Sequence, residues 1–408
     1  MRKMVRTVRL IGVFLLSLFV LGCGDDDNVV VLPSYGVGVV AFSGGWIGIL
    51  DARTQTVSAP FLVGELGSLG GGTFDVVITP DRKTALLSNF GDSTVYFVDI
   101  SNHTAPSVLG SVTLSFFAED IALTPNGRYA LVTDGGFSPR IAVLDVQNLT
   151  LVEEFVSPDL NPDPEITEQA LFNAVAVAAD GQTVLTADYF GGKVNTLTID
   201  AAGHLTYVGV IDVSNGGTVR PVNISISPDG KTAIAACPAS ATEPAVPADN
   251  MRFPVLEISA PGVVTLKSFV VTAARITASQ SIVFNSSGTK AYALCVQEDP
   301  DPEDLILPPN MIVELDVAGP GAASASGATV PVDFIGTSQL FGVDTLALDR
   351  SNRYLYVSNM TLSGAKNQLV VVDVKTASVV KTLTFDDVMV PPVGGVLESA
   401  IPTGLYIR

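Results

Sequence analysis

Two short segments of the sequence combine carboxylates with proline in a pattern that could bind a hard cation. Residues 158–165 read Pro-Asp-Leu-Asn-Pro-Asp-Pro-Glu, and residues 298–304 read Glu-Asp-Pro-Asp-Pro-Glu-Asp. Since Ca²⁺ takes oxygen ligands from such loops, the second segment is a candidate calcium site. Its four candidate ligands are Asp299, Asp301, Glu303 and Asp304. The spacing is not that of an EF-hand, so a solvated acidic loop is the alternative. No other cofactor is indicated.

The side chains that common hydrolases use for catalysis are scarce in this chain. It contains three Cys and two His, and no Ser-His-acid or Cys-His arrangement can be drawn from them. Imidazole and thiolate metal sites are equally unsupported. Cys237 and Cys295 follow the glycine of their hairpin turns at the same distance. We expect two buried thiols there, with a disulfide between neighbouring units as the alternative.

The elements that position these residues come from a repeated pattern of short strands. Four copies of an alternating apolar strand ending in a Pro, Asp, Asn or Gly turn are residues 75–81, 120–126, 174–180 and 223–229. A later strand of each unit ends in an apolar-Asp pair, at Asp51, Asp99, Asp145, Asp200, Asp316 and Asp373, with Glu257 in the remaining unit. A period of about 50 residues with four strands is typical of propeller blades.

The two ends of the chain indicate that the repeats close into a ring. The first unit, residues 36–63, lacks an opening strand, and residues 403–407 have the pattern of one. Pairing the C-terminal strand with the N-terminal blade would remove both exposed edges. The sequence therefore predicts an all-β, seven-bladed β-propeller over residues 36–408, with six or eight blades as the alternative.

Propeller topology places the first residues of the opening strands at one mouth of the central channel, here named the top. These residues are polar in most units, and convergent polar groups at a concave centre are the default binding site. The candidate ligand-binding residues are Asp75, Glu119, Asp120, Asn173, Asn223, Gln280 and Asp344. The alternative is that they only hydrate the channel and cap strand ends.

Aromatic residues in the short top-face loops add a second candidate surface. Phe90, Phe137, Tyr189 and Phe190 lie beside Gly and close after Asn or Asp. Exposed rings of this kind suit a carbohydrate or a protein partner. They could equally fold inward and seal neighbouring blades.

Specific strand motifs carry a resemblance to a known family. Residues 86–99, Leu-Leu-Ser-Asn-Phe-Gly-Asp-Ser-Thr-Val-Tyr-Phe-Val-Asp, and Leu355-Tyr-Val-Ser-Asn359 resemble the repeats of YVTN-family β-propellers. The resemblance covers essentially residues 36–408. The family is similar in turn to lactonase-like seven-bladed propellers. It implies the fold strongly, whereas function must be argued from the site. No lactonase catalytic motif maps onto these positions.

The N-terminus has the features of an export signal. Arg2, Lys3, Arg6 and Arg9 precede an apolar run, and the ending Val20-Leu-Gly-Cys23 resembles the bacterial lipobox. The apolar run is shorter than the about 20 residues a spanning helix needs. We predict a signal peptide over residues 1–22, lipid attachment at Cys23 and a tether over residues 23–35. The alternatives are simple secretion and an uncleaved anchor.

The net charge of the chain limits the classes of partner that it is expected to bind. There are 22 basic and 41 acidic residues, a net charge of −19, and loss of residues 1–22 would remove basic residues only. Nucleic acid is therefore a poor partner, and the lipid is the expected membrane contact. These features favour a monomeric, non-enzymatic binding or scaffold lipoprotein of the bacterial cell envelope, on the outer membrane and facing the periplasm or the exterior. A lactonase-like hydrolase at the channel mouth is the alternative.

Overall fold

The structure is a computed structural model that divides into two units, Met1–Pro33 and Ser34–Arg408. The backbone is described for residues 36–42, 45–63, 73–136, 138–157, 172–189, 191–215, 219–237, 252–272, 276–297, 310–332, 346–359, 368–385, 389–390, 398–399 and 402–408. The first unit, and with it the predicted signal peptide and Cys23, lies outside these residues. Within them, no helix is long and apolar enough to cross a membrane.

Short β-strands follow one another along the described residues and form seven antiparallel sheets, the blades. Blades 1 to 3 contain β1 (Val37–Phe42), β2 (Trp46–Asp51), β3 (Thr56–Val57), β4 (Phe61–Leu62), β5 (Thr73–Ile78), β6 (Thr84–Asn89), β7 (Thr94–Asp99), β8 (Ser107–Thr113), β9 (Ala118–Leu123), β10 (Tyr129–Asp134), β11 (Arg140–Asp145) and β12 (Thr150–Val156). Blades 4 and 5 contain β13 (Phe172–Val177), β14 (Thr183–Asp188), β15 (Lys193–Ile199), β16 (Leu205–Asp212), β17 (Asn223–Ile226), β18 (Thr232–Ala236), β19 (Arg252–Ala260) and β20 (Val263–Val271). Blades 6 and 7 contain β21 (Ile276–Phe284), β22 (Lys290–Gln297), β23 (Asn310–Gly319), β24 (Ala322–Val332), β25 (Leu346–Leu348), β26 (Tyr354–Asn359), β27 (Gln368–Asp373) and β28 (Ser378–Thr384). A small hairpin, β29 (Met389–Val390) with β30 (Glu398–Ser399), precedes β31 (Pro402–Ile407).

The C-terminal strand completes the first blade, as the sequence predicts. β31 pairs antiparallel with β1, with Val40 opposite Leu405 and Gly38 opposite Ile407. The sheet order of blade 1 is therefore β3-β2-β1-β31, and the other blades keep their strands in chain order. The prediction of a seven-bladed propeller closed by its C-terminal strand is confirmed.

The turns that end the first and third strands of each blade explain the recurring aspartates of the sequence. The Asp81 carboxylate accepts hydrogen bonds from the Thr79 hydroxyl at 2.7 Å and from the Lys83 N–H at 3.1 Å. Asp145 accepts the N–H groups of Gln147 and Asn148 in the same way. These are turns in which an acidic side chain replaces a backbone acceptor. The face that carries them is the bottom face, and the opposite end of the inner strands is the top face.

Neighbouring blades pack through apolar side chains on both faces of each sheet. Leu86 and Phe97 of blade 2 share one core with Val132 and Leu144 of blade 3, and all four are fully buried. Such two-sided burial requires nearly continuous apolar strands, which this sequence has. The inner strands enclose a channel containing a cavity of about 230 Å³, lined by blades 3 to 5 together with Val77, Tyr406 and Arg408.

Candidate functional site

A β-bulge recurs at the top end of the inner strands. The register of β5 with β6 shifts between Thr73 and Asp75, and that of β13 with β14 shifts between Phe172 and Ala174. In blade 3, Ile121 lies opposite Val132 but Ala118 lies opposite Asp134, so one strand has an additional residue. Bulges re-aim side chains and are common beside functional sites. Simple alternation along the strand therefore does not predict where the residues of this level point.

Asp75 and Asp120 join the inner strands of successive blades. Asp75 Oδ2 accepts the N–H of Ile121 at 3.3 Å, and Asp120 Oδ2 accepts the N–H of Val175 at 2.6 Å. Both residues are buried. Each carboxylate thus satisfies a backbone donor of the next blade, which is a structural contact. A ligand-binding role for either residue stays a prediction.

Glu119 is the most unusual group at the top face. The residue is 8% exposed, and Oε2 has no hydrogen-bond partner in the part of the chain that the structure describes. Its backbone carbonyl accepts the hydroxyl of Ser88 from blade 2, which fixes the main chain at this point. Burying a carboxyl oxygen without a partner is costly. Burial without a partner therefore favours the neutral form of this carboxyl group.

A glycine lies beside this carboxyl group, next to a pair of stacked aromatic rings. Phe90 of blade 2 stacks on Phe117, which precedes β9, with ring centroids 4.6 Å apart. A Cβ atom on Gly135 would lie 2.8 Å from the Phe90 ring and 3.1 Å from Glu119 Oε2. Only glycine leaves room at that position for both groups. Phe90, Phe117, Gly135 and Glu119 together are named the Glu119 cluster.

A second buried acid sets the electrostatics of the Glu119 cluster. The Asp134 side chain is fully buried, and its Oδ2 accepts Nε and Nη2 of Arg140, each at 2.7 Å. Asp134 Oδ1 accepts the N–H of Gly136 at 2.7 Å. Burial raises the pKa of Asp134 in spite of these contacts. The Arg140 guanidinium in turn packs on the Phe116 ring at 5.0 Å.

These surroundings change the charge state of Glu119. Burial, and then the nearby Asp134 carboxylate, raise the pKa of Glu119 to about 8. At pH 7 its carboxyl is therefore mainly protonated and can donate a hydrogen bond. A neutral carboxylic acid beside aromatic rings is an arrangement that enzymes and binding sites use to donate a proton or a hydrogen bond. Perturbed pKa values of this kind often mark functional sites.

Asn173 holds the equivalent bulge position in blade 4. It is fully buried, and its Oδ1 accepts the N–H of Tyr189 at 3.2 Å. Asn173 Nδ2 has no hydrogen-bond partner among the described residues. Asn223 of blade 5 is also buried and lines the channel cavity together with Asp120. Asp344 and the Gln280 side chain lie outside the described part of the chain.

The predicted top-face aromatics are used to join blades where the structure describes them. Phe90 is half-buried in its stack with Phe117, and Tyr189 lies under the guanidinium of Arg220 at 5.6 Å. In both cases a loop ring contacts the segment that leads into the next blade. Both side chains are half-buried, and whether they also bind a carbohydrate or a protein partner stays a prediction. Phe137 and Phe190 lie outside the described residues.

The remaining predicted groups include two histidines, two cysteines and the acidic segment. His103 and His204 follow third strands at the bottom face, and His204 Nδ1 lies 3.1 Å from Glu153 Oε2. Cys237 and Cys295 are buried free thiols. Across the described residues no cluster of three or more His, Cys, Asp or Glu could hold a metal ion. Asp299, Asp301, Glu303 and Asp304 lie outside those residues, so the calcium site stays a prediction.

The sequence reasoning missed Asp134, Arg140, Phe117 and Gly135. One signal was available, because Asp134-Gly-Gly aligns with Asn89-Phe-Gly and Asp188-Tyr-Phe-Gly at the top of β10, β6 and β14. In all three, the Asn or Asp side chain accepts a glycine N–H of the following loop. Blade 3 alone of these three has Gly directly after the acid, which is the position that opens space beside Glu119.

Comparison with known proteins identifies the fold and not a family. No protein-family model matches the chain, and no curated protein matches it by sequence. The assignment to the YVTN family therefore stays a prediction. Solved structures match over nearly the whole chain at low identity, which shows the fold alone.

Three of these structures indicate the range of the similarity. A functionally unknown protein from Desulfotomaculum acetoxidans is 18% identical with a TM-score of 0.68, and the match covers 91% of this chain and 98% of that one. The periplasmic gluconolactonase of Pseudomonas aeruginosa is 16% identical with a TM-score of 0.62, over 91% and 98% of the two chains. A 6-phosphogluconolactonase assigned provisionally in Bacteroides fragilis is 15% identical with a TM-score of 0.61, over 94% and 100%. The chain thus shares the seven-bladed propeller fold of lactonase-like proteins.

Proposed function

We propose that the protein binds a small, uncharged polar ligand at the top face between blades 2 and 3, with Glu119 as the group that recognises it. The observation that carries this proposal is the buried Glu119 carboxyl, whose Oε2 has no partner among the described residues. A pKa raised to about 8 leaves a hydrogen on this group at neutral pH. The ligand would supply the acceptor that the fold does not.

The charges around the Glu119 cluster favour an uncharged ligand. Asp134 lies close enough to raise the pKa of Glu119 through its charge, and it would repel an anion in the same way. Arg140 is held by Asp134 at 2.7 Å and is not oriented toward a second anion. The aromatic rings of Phe90 and Phe117 offer an apolar surface of the kind that sugar rings pack against. A sugar-like lactone or polyol combines these properties.

Hydrolysis of a bound lactone is the second candidate function. The neutral Glu119 carboxyl could give its proton to the ring oxygen while the C–O bond of the lactone breaks and a water oxygen bonds to the carbonyl carbon. One proton of that water would pass to the other oxygen of the same carboxyl. Glu119 then ends protonated, as it began, and the product is the open hydroxy acid. The gluconolactonase of Pseudomonas aeruginosa, which has the same fold, supports testing this reaction.

Binding is tested with two stable probes that differ in one group. Glucono-δ-lactam carries a carbonyl, and 1,5-anhydroglucitol has a similar ring without it. Isothermal calorimetry at pH 6.5 should show binding of the lactam to the wild-type protein. Glu119→Leu should abolish it, whereas Glu119→Gln should retain it because the amide still offers a donor. Glu153→Gln, on the outer strand β12, is the matched control and should bind normally. Failure of the wild-type protein to bind either probe would contradict the proposal.

Hydrolysis is separated from binding by the same variants. Turnover of glucono-δ-lactone, corrected for the spontaneous reaction, should be lost in Glu119→Gln while lactam binding persists. Enzymatic turnover should also decline as the pH rises through about 8, since the acid form of Glu119 disappears there. Lactam binding without turnover in the wild-type protein would leave the binding function and exclude the hydrolase.

We also propose that the propeller is exported and lipid-anchored at Cys23. The basic start, the apolar run and the Val-Leu-Gly-Cys ending support this proposal. Metabolic labelling with an alkyne fatty acid should label the full chain in a bacterial host, and Cys23→Ser should abolish the label and release the protein from membranes. Equal labelling of both forms would contradict the anchor.

A further inference from the structure

Asn173 has the same place in blade 4 as Glu119 has in blade 3. Each residue is at the bulge of an inner strand, and the two strands are direct neighbours. The hydrogen bond from the Val175 N–H to Asp120 Oδ2, 2.6 Å long, ties the strands together at this level. Glu119 directly precedes Asp120, and Asn173 lies two residues before Val175. Glu119 and Asn173 are therefore close, along their own strands, to the two ends of one inter-blade hydrogen bond.

The orientation of the Asn173 amide is fixed by its own loop. Oδ1 accepts the N–H of Tyr189 at 3.2 Å, so the nitrogen must be on the other side of the amide. This Nδ2 is buried and has no partner within the described residues. An unsatisfied buried donor destabilises a fold, and an apolar residue of similar size would avoid that cost. The pattern is that of a donor held for a ligand.

We propose that Asn173 is a second recognition residue and that the ligand presents a carbonyl oxygen, which receives hydrogen bonds from Asn173 Nδ2 and from the Glu119 carboxyl group. This inference rests on the proposed function and narrows the ligand from polar compounds to carbonyl compounds such as lactones, lactams and esters. Two fixed donors match one carbonyl oxygen, because that atom has two lone pairs. They would also stabilise the charge that develops on the oxygen during attack by water.

Comparing the affinity for the lactam with that for the anhydro sugar distinguishes a site that recognises a carbonyl group from a general polar site. The wild-type protein should prefer the lactam by about 100-fold, since each of two hydrogen bonds to a carbonyl contributes roughly tenfold. Asn173→Leu is close to asparagine in size and removes the Nδ2 donor without introducing another donor. Its preference should fall to about 10-fold or less, while its affinity for the anhydro sugar stays near the wild-type value.

Two further variants keep the test valid if Asn173→Leu folds poorly. Asn173→Ala should show the same loss of preference, and Asn195→Ala changes another buried Asn whose Nδ2 has no described partner, but on the third strand of blade 4. The Asn195 variant should keep the wild-type preference. An unchanged preference in both Asn173 variants, with lactam binding still lost in Glu119→Leu, would overturn the inference and leave the proposed function standing. Binding of neither probe by the wild-type protein would overturn both.

Discussion

The acids of the top face and those of the bottom face are held in opposite ways. Asp92, Glu119 and Asp134 lie at the top of blades 2 and 3, and burial raises the pKa of each. The bottom-face acids with a lowered pKa are Asp51, Asp81, Asp99, Asp200, Asp229 and Asp373. The bottom turns stabilise a negative charge, whereas the top of blades 2 and 3 disfavours one.

The balance between burial and hydrogen-bond donors accounts for the difference, because burial outweighs the donors that Asp92 and Asp134 have. Asp81 and Asp229 receive the hydroxyls of Thr79 and Ser227, and these bonds hold their pKa values down. Glu119 receives none at Oε2 from the described residues. Asp212 lies at the top end of β16, but its pKa is lowered as on the bottom face because Ser214 donates a hydrogen bond to it. A carboxylate that completes a turn is therefore structural, and one left without donors under aromatic rings is a candidate for function.

The largest expected effect is on the bottom face. Asp349 is buried, and its Oδ1 accepts the N–H groups of Arg353 and Tyr354 at 2.9 and 2.7 Å. Asp349→Ala leaves both donors without a partner and should lower the free energy of unfolding by about 3 kcal/mol. Urea denaturation measures this change. A loss no larger than that of an exposed control, Asn102→Ala, would contradict the structural role of the bottom acids.

The next largest expected effect is a gain in stability, and it concerns Glu119 at the top face. The pKa of Glu119 is near 4.5 in the unfolded chain and about 8 in the folded one. Between these values the unfolded chain releases a proton that the folded chain retains, so this residue makes the protein less stable as the pH rises. Glu119→Gln should therefore raise the free energy of unfolding by on the order of 2 kcal/mol at pH 8 and by little at pH 4. Equal effects at both pH values would exclude the linkage.

A smaller expected effect is a change in the pKa of Glu119 when the Phe90 ring is removed. Phe90→Ala removes the ring that stacks on Phe117 and admits water to Glu119, so the pKa of Glu119 should fall by about 1 unit. Carboxyl ¹³C NMR titration measures it. Phe385→Ala removes a ring from the edge contact with Phe42 in the first and last blades and should leave the Glu119 titration unchanged. A similar shift in both variants would point to general loosening of the propeller.

The smallest expected effect is the loss of stability when a bottom-face aspartate with a lowered pKa is replaced. Asp229 caps an exposed turn, and its lowered pKa stabilises the folded state above pH 3.8 and ceases to do so as the pH falls through the folded value. Asp229→Asn should cost only about 0.5 kcal/mol at pH 7 because water screens the contact. The difference from the wild-type protein should vanish near pH 3. A difference that grows toward acid pH would contradict the sign.

The fold could be read from the sequence because each blade repeats the same local signals. The apolar-Asp pairs end third strands, and the lone strand at residues 403–407 fits the gap in blade 1. The site could be read only in part. The sequence pattern predicted Glu119 at the top end of an inner strand. The direction of its side chain depends on a β-bulge, which is set by the register of β9 with β10. Asp134 and Arg140 come from later strands of blade 3, and no local pattern links them to Glu119.

The charge state of Glu119 is the claim on which the site depends. A ¹³C NMR titration of the carboxyl carbons from pH 3 to pH 10, with the Glu119 signal assigned by its absence from Glu119→Gln, measures it directly. The structure predicts a midpoint of about 8 for Glu119 and a midpoint below 3.8 for Asp81 in the same sample. A Glu119 midpoint near 4.5 would show an ordinary solvated carboxylate and contradict the account.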